Sequence, residues 1–184
     1  MSATGRGLHV RHPDDYYSTP AWCTRAILPW LSVSERVLDP CAGTGAIMRV
    51  ATEFWGSRVL GIEIDPDRAS ECGAKCADAL EPETFWGECA VVTNPPYALA
   101  MPFVERALTN AHGAHDVAML LRLNWLASQK RAAFHRAHPC DVYVLPKRPS
   151  FTTNGKTDAT EYCWMVWGPG RGGRWQILEI ENAQ

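Results

Sequence analysis

The stretch VLDPCAGTGAI, residues 37–47, reads as a short apolar strand that runs into a glycine-rich turn and opens a helix. Gly43 and Gly45 suit such a turn, because a Cβ there collides with a neighbour or forces an unfavourable dihedral where the backbone passes close to a ligand. Taken alone the turn fits a dinucleotide or phosphate site as well as any other nucleotide site. The segments around it narrow the choice.

Downstream, short apolar runs alternate with helical patterns. Strands are expected at 36–39, 58–64, 75–77, 90–93, 117–121, 141–145, 161–167 and 175–180. Helices are expected at 21–31, 46–54, 66–72, 101–111 and 126–135. This alternation indicates an α/β protein whose mostly parallel sheet carries helices on both faces. Ligands of such sheets bind at the carboxyl ends of the strands, where strand order reverses. No linker divides the 184 residues, so a single domain is expected, with residues 1–15 as a loose polar arm.

Two acids fall at strand ends. GIEID, residues 61–65, puts Glu63 where it can accept hydrogen bonds from two ribose hydroxyls, and CADAL, residues 76–80, puts Asp78 where it can accept from an adenine amino group. Cys41, Ile64 and Ala79 stand beside these positions as candidate lining residues. Asp39 suits the amino end of a cofactor. Together these point to an adenosine-containing ligand.

Asn94-Pro95-Pro96-Tyr97 follows the apolar strand at 90–93. An exocyclic amino group on adenine, or an amide, has a delocalised lone pair and is a poor nucleophile. Two fixed acceptors, the Asn94 side-chain carbonyl and the Pro95 backbone carbonyl, can bind its two N–H groups and localise that pair. Pro96 helps because proline fixes φ and removes a donor. Tyr97 offers a ring on which a planar target can stack. Nothing in this chemistry calls for a metal, and the seven cysteines contain no CxxC pair; they read as reduced, packed thiols.

In this order the motifs resemble the amino-group class of DNA methyltransferases that use S-adenosylmethionine (SAM). The likeness runs from Tyr17 to Trp167 and includes Tyr17-Ser18-Thr19-Pro20, similar to an aromatic-x-Thr-Pro element that precedes the glycine-rich turn in the gamma-type motif order. It implies a Rossmann-like SAM-methyltransferase fold with a seven-stranded sheet. SAM is then the cofactor, with Tyr17 beside it, Thr19 on its methionine carboxylate, and Asn94 touching both cofactor and target. The implied reaction is methylation of adenine N6 in DNA, on a base flipped from a duplex or taken from a single strand, since a stacked base cannot reach such a pocket.

The loop RPSFTTNGKTD, residues 148–158, resembles the family loop that contacts the flipped base. Phe151 there would stack beside Arg148 and Lys156, as extruded nucleotides are held. Asn124 is a further candidate at the rim. The resemblance departs from the family in one respect: no insertion of recognition-domain size is present. Short or relaxed sequence specificity follows, or recognition by a separate subunit or a second copy. The compact layout is similar to methyltransferases of phages and restriction-modification systems.

Charge is divided. Residues 39–106 carry eleven acids and five bases, a net of −6, whereas residues 122–174 carry nine bases and three acids, a net of +6, within an overall −2. A phosphate backbone is drawn to the second segment. No apolar run reaches membrane-spanning length and residues 1–12 lack the apolar stretch of a secretory signal, so a cytoplasmic protein with no membrane partner is expected. The same tetrapeptide serves RNA-adenine and protein-glutamine N5 methylation, and a non-catalytic SAM- or nucleic-acid-binding subunit is the reading of a different class.

Overall fold

A computed structural model describes residues 18–33, 36–151 and 157–180. Tyr17, Lys156 and the arm at 1–15 therefore lie outside the described residues. Eight strands form one sheet in the order β3-β2-β1-β4-β5-β7-β6-β8. They are β1 (Val37–Asp39), β2 (Val59–Glu63), β3 (Lys75–Cys76), β4 (Ala90–Thr93), β5 (Val117–Arg122), β6 (Asp141–Val144), β7 (Tyr162–Trp167) and β8 (Trp175–Ile177). All neighbours pair in parallel except β7, which runs antiparallel to both β5 and β6. The sheet thus has as many strands as the eight apolar runs read along the chain, one more than the seven that the resemblance implies. The addition is β8, which extends the far edge by pairing in parallel with β6.

Both faces of the sheet are covered, so the central strands are apolar up to their carboxyl ends, where Asp39, Thr93 and Arg122 stand, and the period of two shows as a division between cores. Val117, Met119 and Leu121 of β5 join Phe103, Val104 and Ala107 of helix α4 (Ala100–Ala111). Ala118 and Leu120 point the other way, toward Cys23 and Ile27 of α1 (Ala21–Ile27) and Ile47 and Val50 of α2 (Ala46–Trp55). Helix α2 lies close on β2 because Gly61 has no side chain; a Cβ there would collide with the Met48 sulfur.

Helix α3 spans Pro66–Cys72, with both ends set by local chemistry. The Asp65 carboxylate accepts from the backbone N–H groups of Asp67 and Arg68, Pro66 fills the first position, and Gly73 ends the helix at φ +72°. The helix expected over 126–135 is instead broken. Turns of 3-10 type occupy Leu123–Trp125 and Gln129–Arg131, Ser128 is extended, and α5 covers only Ala132–Ala137. The Arg131 side chain explains the break. It donates to the Trp125 carbonyl at 2.7 Å and lies over the Trp125 ring, replacing a helical backbone bond with a tertiary one. No helix among the described residues is long and apolar enough to cross a membrane.

The chain leaves β1 for β2 and β3 on one side and returns to β4 on the other. The reversal opens a crevice at the carboxyl ends of β1 and β4, where Asp39 and Asn94 stand.

Candidate functional site

A cavity of about 370 Å³ occupies that crevice. It is within the size range of small-molecule sites. Thr19, Asp39, Cys41, Glu63, Ile64, Asp78, Ala79, Asn94, Pro95 and Pro96, all singled out from the sequence, line it. Arg68, Leu80, Leu99 and Phe103 line it too and were not anticipated. The wall is acidic at the ends of β1, β2 and β3 and apolar between them.

Asp39 is 1% exposed. One carboxylate oxygen accepts from the Thr93 hydroxyl at 2.7 Å and from the Cys41 N–H at 3.2 Å. The other is buried without a hydrogen-bond partner among the described residues. Burial pushes its pKa up to about 7, with nearby Glu63 adding to the rise against the two hydrogen bonds. An unmet buried acceptor of this kind calls for a donor from a ligand. Cys41 beside it is no nucleophile, since burial and the Asp39 charge hold its thiol well above the usual range.

Glu63 is already held. Oε2 accepts from the Gly43 N–H at 2.6 Å, and Oε1 accepts from the Asp65 N–H at 3.0 Å and from Arg68 Nη2 at 3.0 Å. Gly43 therefore acts on the site through Glu63 and does not line the cavity. Gly45 does not line it either. At φ +78°, its added Cβ would sit 2.7 Å from Cys72 Cβ, so its smallness serves the packing of the turn against α3. Arg68 reaches Glu63 because the first turn of α3 folds back over the end of β2. The helix expected over 66–72 placed that turn, but nothing in the sequence fixed the side chain's direction.

Asn94 follows β4. Its Nδ2 donates to the Thr19 hydroxyl oxygen at 3.1 Å, while Oδ1 is buried with no partner among the described residues. Tyr97 is placed differently from expectation, because it does not line the cavity. The Arg122 guanidinium lies over its ring at 4.8 Å, and the Tyr162 ring packs beside it at 5.6 Å. Burial, with the nearby Tyr162 adding to the rise, pushes the phenol well above its usual pKa, which makes it a neutral group and not a base.

Phe151 continues this cluster, edge-on to Tyr162 at 5.1 Å, and is half-buried against the α1–α2 core. Tyr162 and Arg122 face each other across the β5–β7 ladder, and the Tyr162 hydroxyl donates to Asp158 at 2.5 Å. Asn124 and Arg148 are exposed and stand apart from the cavity. Arg148 pairs with Glu161, Arg122 approaches Asp158, and Arg171 and Arg174 hold the buried Asp141, Arg171 also holding Asp116. Four of the nine bases counted in residues 122–174 are thus engaged by acids, so the charge available to a phosphate backbone is smaller than the segment's net suggests.

No protein-family model and no curated protein matches the sequence. Solved structures do match. A type I restriction-modification methyltransferase subunit from Streptococcus thermophilus aligns at TM-score 0.63 and 15% identity, over 88% of this chain and 47% of that one. A protein from Pyrococcus horikoshii proposed to be an RNA methyltransferase aligns at 0.64 and 17%, over 84% and 87%. The 23S rRNA methyltransferase ErmE aligns at 0.59 and 15%, over 85% and 71%. The chain spans about half the length of the first of these. These similarities establish a Rossmann-like fold shared with SAM-dependent methyltransferases.

Proposed function

We propose that the protein is a SAM-dependent methyltransferase that modifies the N6 amino group of adenine in DNA, acting on a flipped or single-stranded base. The observation that carries this reading is the unpartnered Asn94 Oδ1, buried in the wall of the same cavity as Asp39, Glu63 and Asp78.

The residues present fit SAM. Asp39 supplies a buried acceptor for its ammonium group, Glu63 and Asp78 supply acceptors for ribose and adenine, and Ile64, Leu80 and Phe103 supply apolar wall. When bound, SAM provides a methyl group on a positively charged sulfur, an electrophile that needs no prior activation. The chain's task is then to position and polarise the target. Asn94 Oδ1 accepts one N–H of the target amine, and the carbonyl of buried Pro95 is the second acceptor of the pair. Together they draw the lone pair out of conjugation, and holding it in line accounts for much of the acceleration. Tyr97, Phe151 and Tyr162 form an aromatic cluster that does not line the cavity.

The test is transfer of a labelled methyl from SAM to duplex DNA, single-stranded DNA, RNA and a protein extract, followed by digestion. The RNA arm is included because ErmE, of the same fold, is an RNA methyltransferase. N6-methyladenine from DNA is expected; N6-methyladenine from RNA alone or N5-methylglutamine would replace the reading. Asn94→Ala should abolish transfer while S-adenosylhomocysteine binds within about threefold of wild type, since the lost acceptor acts chiefly in the transition state. An active Asn94→Ala protein refutes the mechanism.

A further inference from the structure

We propose that the Thr19 hydroxyl is a relay that orients the Asn94 amide in response to an anionic group bound in the cavity, which makes Thr19 a positioning residue for the reaction. The inference rests on the methyltransferase reading and extends it to the order in which the site assembles.

Thr19 is 5% exposed and lines the cavity, and its oxygen accepts from Asn94 Nδ2 at 3.1 Å. A hydroxyl has one hydrogen to give and can also accept. While its lone pair serves Nδ2, its hydrogen is directed elsewhere, and it donates to no side chain or backbone group among the described residues. The same pair has a second arrangement. If the amide turns over by half a rotation, the hydroxyl donates to Oδ1 and the NH2 group faces the cavity. A donor then stands where the target amine needs an acceptor. With the cavity empty nothing else among the described residues biases the pair, because Oδ1 has no other partner there.

A ligand's carboxylate removes the ambiguity. Three carboxyl side chains, Asp39, Glu63 and Asp78, line the cavity at the ends of β1, β2 and β3, and Arg68 is committed to Glu63. A second anion is repelled from that side. Of the side chains lining the cavity, only Ser18 and Thr19 offer a hydroxyl donor. A carboxylate seated there takes the Thr19 hydrogen, the Thr19 lone pair must accept from Nδ2, and Oδ1 is locked facing the target. Cofactor binding thus completes the catalytic acceptor before the base arrives.

The experiment follows the Asn94 side-chain NH2 signals of the full-length protein by 15N NMR, assigned by their loss in Asn94→Asp. Two probes differ at one end: S-adenosylhomocysteine carries the amino-acid carboxylate, and 5′-methylthioadenosine lacks it. In wild type, saturating S-adenosylhomocysteine should move these signals at least about three times as far as methylthioadenosine and slow their exchange, as a new ordering hydrogen bond requires. In Thr19→Val the two probes should act alike. Under saturating cofactor, kcat of Thr19→Val should fall by about tenfold or more, with Thr19→Ser within about threefold of wild type, because only the hydroxyl is needed. Equal responses to both probes in wild type overturn the relay, as does a probe difference that survives in Thr19→Val. If wild type methylates no substrate but the Thr19-dependent signal change is present, the parent reading fails and the relay stands.

Discussion

Replacing Asp39 by Asn separates the demands of folding from those of binding. Asp39 is buried, with a pKa raised from 3.8 to about 7 chiefly by loss of solvation. Between those two values the folded state holds a proton that the unfolded state has released. Stability therefore falls as pH rises through this window and levels off above about 7. One pKa unit corresponds to about 1.36 kcal/mol, so between about pH 5 and pH 8 the wild type should lose roughly 2–3 kcal/mol through this group. Asn does not titrate and loses nothing. It does leave an amide N–H without an acceptor, at about 1–3 kcal/mol, but that penalty is the same at both pH values. Urea denaturation of both proteins at the two pH values isolates the titration as a difference of differences. Asp39→Asn should gain roughly 2–3 kcal/mol on wild type from the lower to the higher pH. A gap that does not change with pH, or that moves the other way, refutes the assignment of the buried charge. The same variant should bind S-adenosylhomocysteine at least about tenfold more weakly, the loss expected when a charged partner is removed.

Two further substitutions test the frame of the fold. Gly45→Ala places a Cβ 2.7 Å from Cys72 at a φ of +78°, and should destabilise the protein by about 1–3 kcal/mol in equilibrium denaturation. An unchanged midpoint would contradict the packing assigned to this turn. Arg171→Gln removes the guanidinium that holds Asp116 at 2.6 Å and Asp141 at 3.5 Å, both carboxylates being nearly inaccessible. The loss should be about 3–5 kcal/mol, the effect of leaving a buried charge unpaired, and thermal unfolding measures it.

What could be read from the chain alone followed how local the physics was. β4 and β7 are continuous apolar runs bounded by turn residues, and α3 is bracketed by Asp65, Pro66 and Gly73, so their positions were fixed by neighbours in sequence. The glycine turn, the two strand-end acids and Asn94 meet at one crevice for the same reason: each ends a strand, and parallel strands bring their ends together. Other features depend on partners far away in sequence. Ser128 breaks a helical pattern because Arg131 turns back to Trp125. The Tyr97 ring is covered by Arg122, brought there by a strand pairing that no motif announces. Arg68 closes on Glu63 only once α3 has returned over β2. The basic segment lost part of its charge to acids whose proximity exists only in the fold.

The antiparallel ladder between β5 and β7 sets Arg122 opposite Tyr162 in a single alignment. A slip of one residue would exchange the two sides of the strand, carry Tyr162 away from Tyr97, and bring Glu161 or Cys163 into its place. Gaining or losing one residue inside β7 would thus dismantle the cluster around Tyr97, even though β7 contributes nothing to the cavity wall.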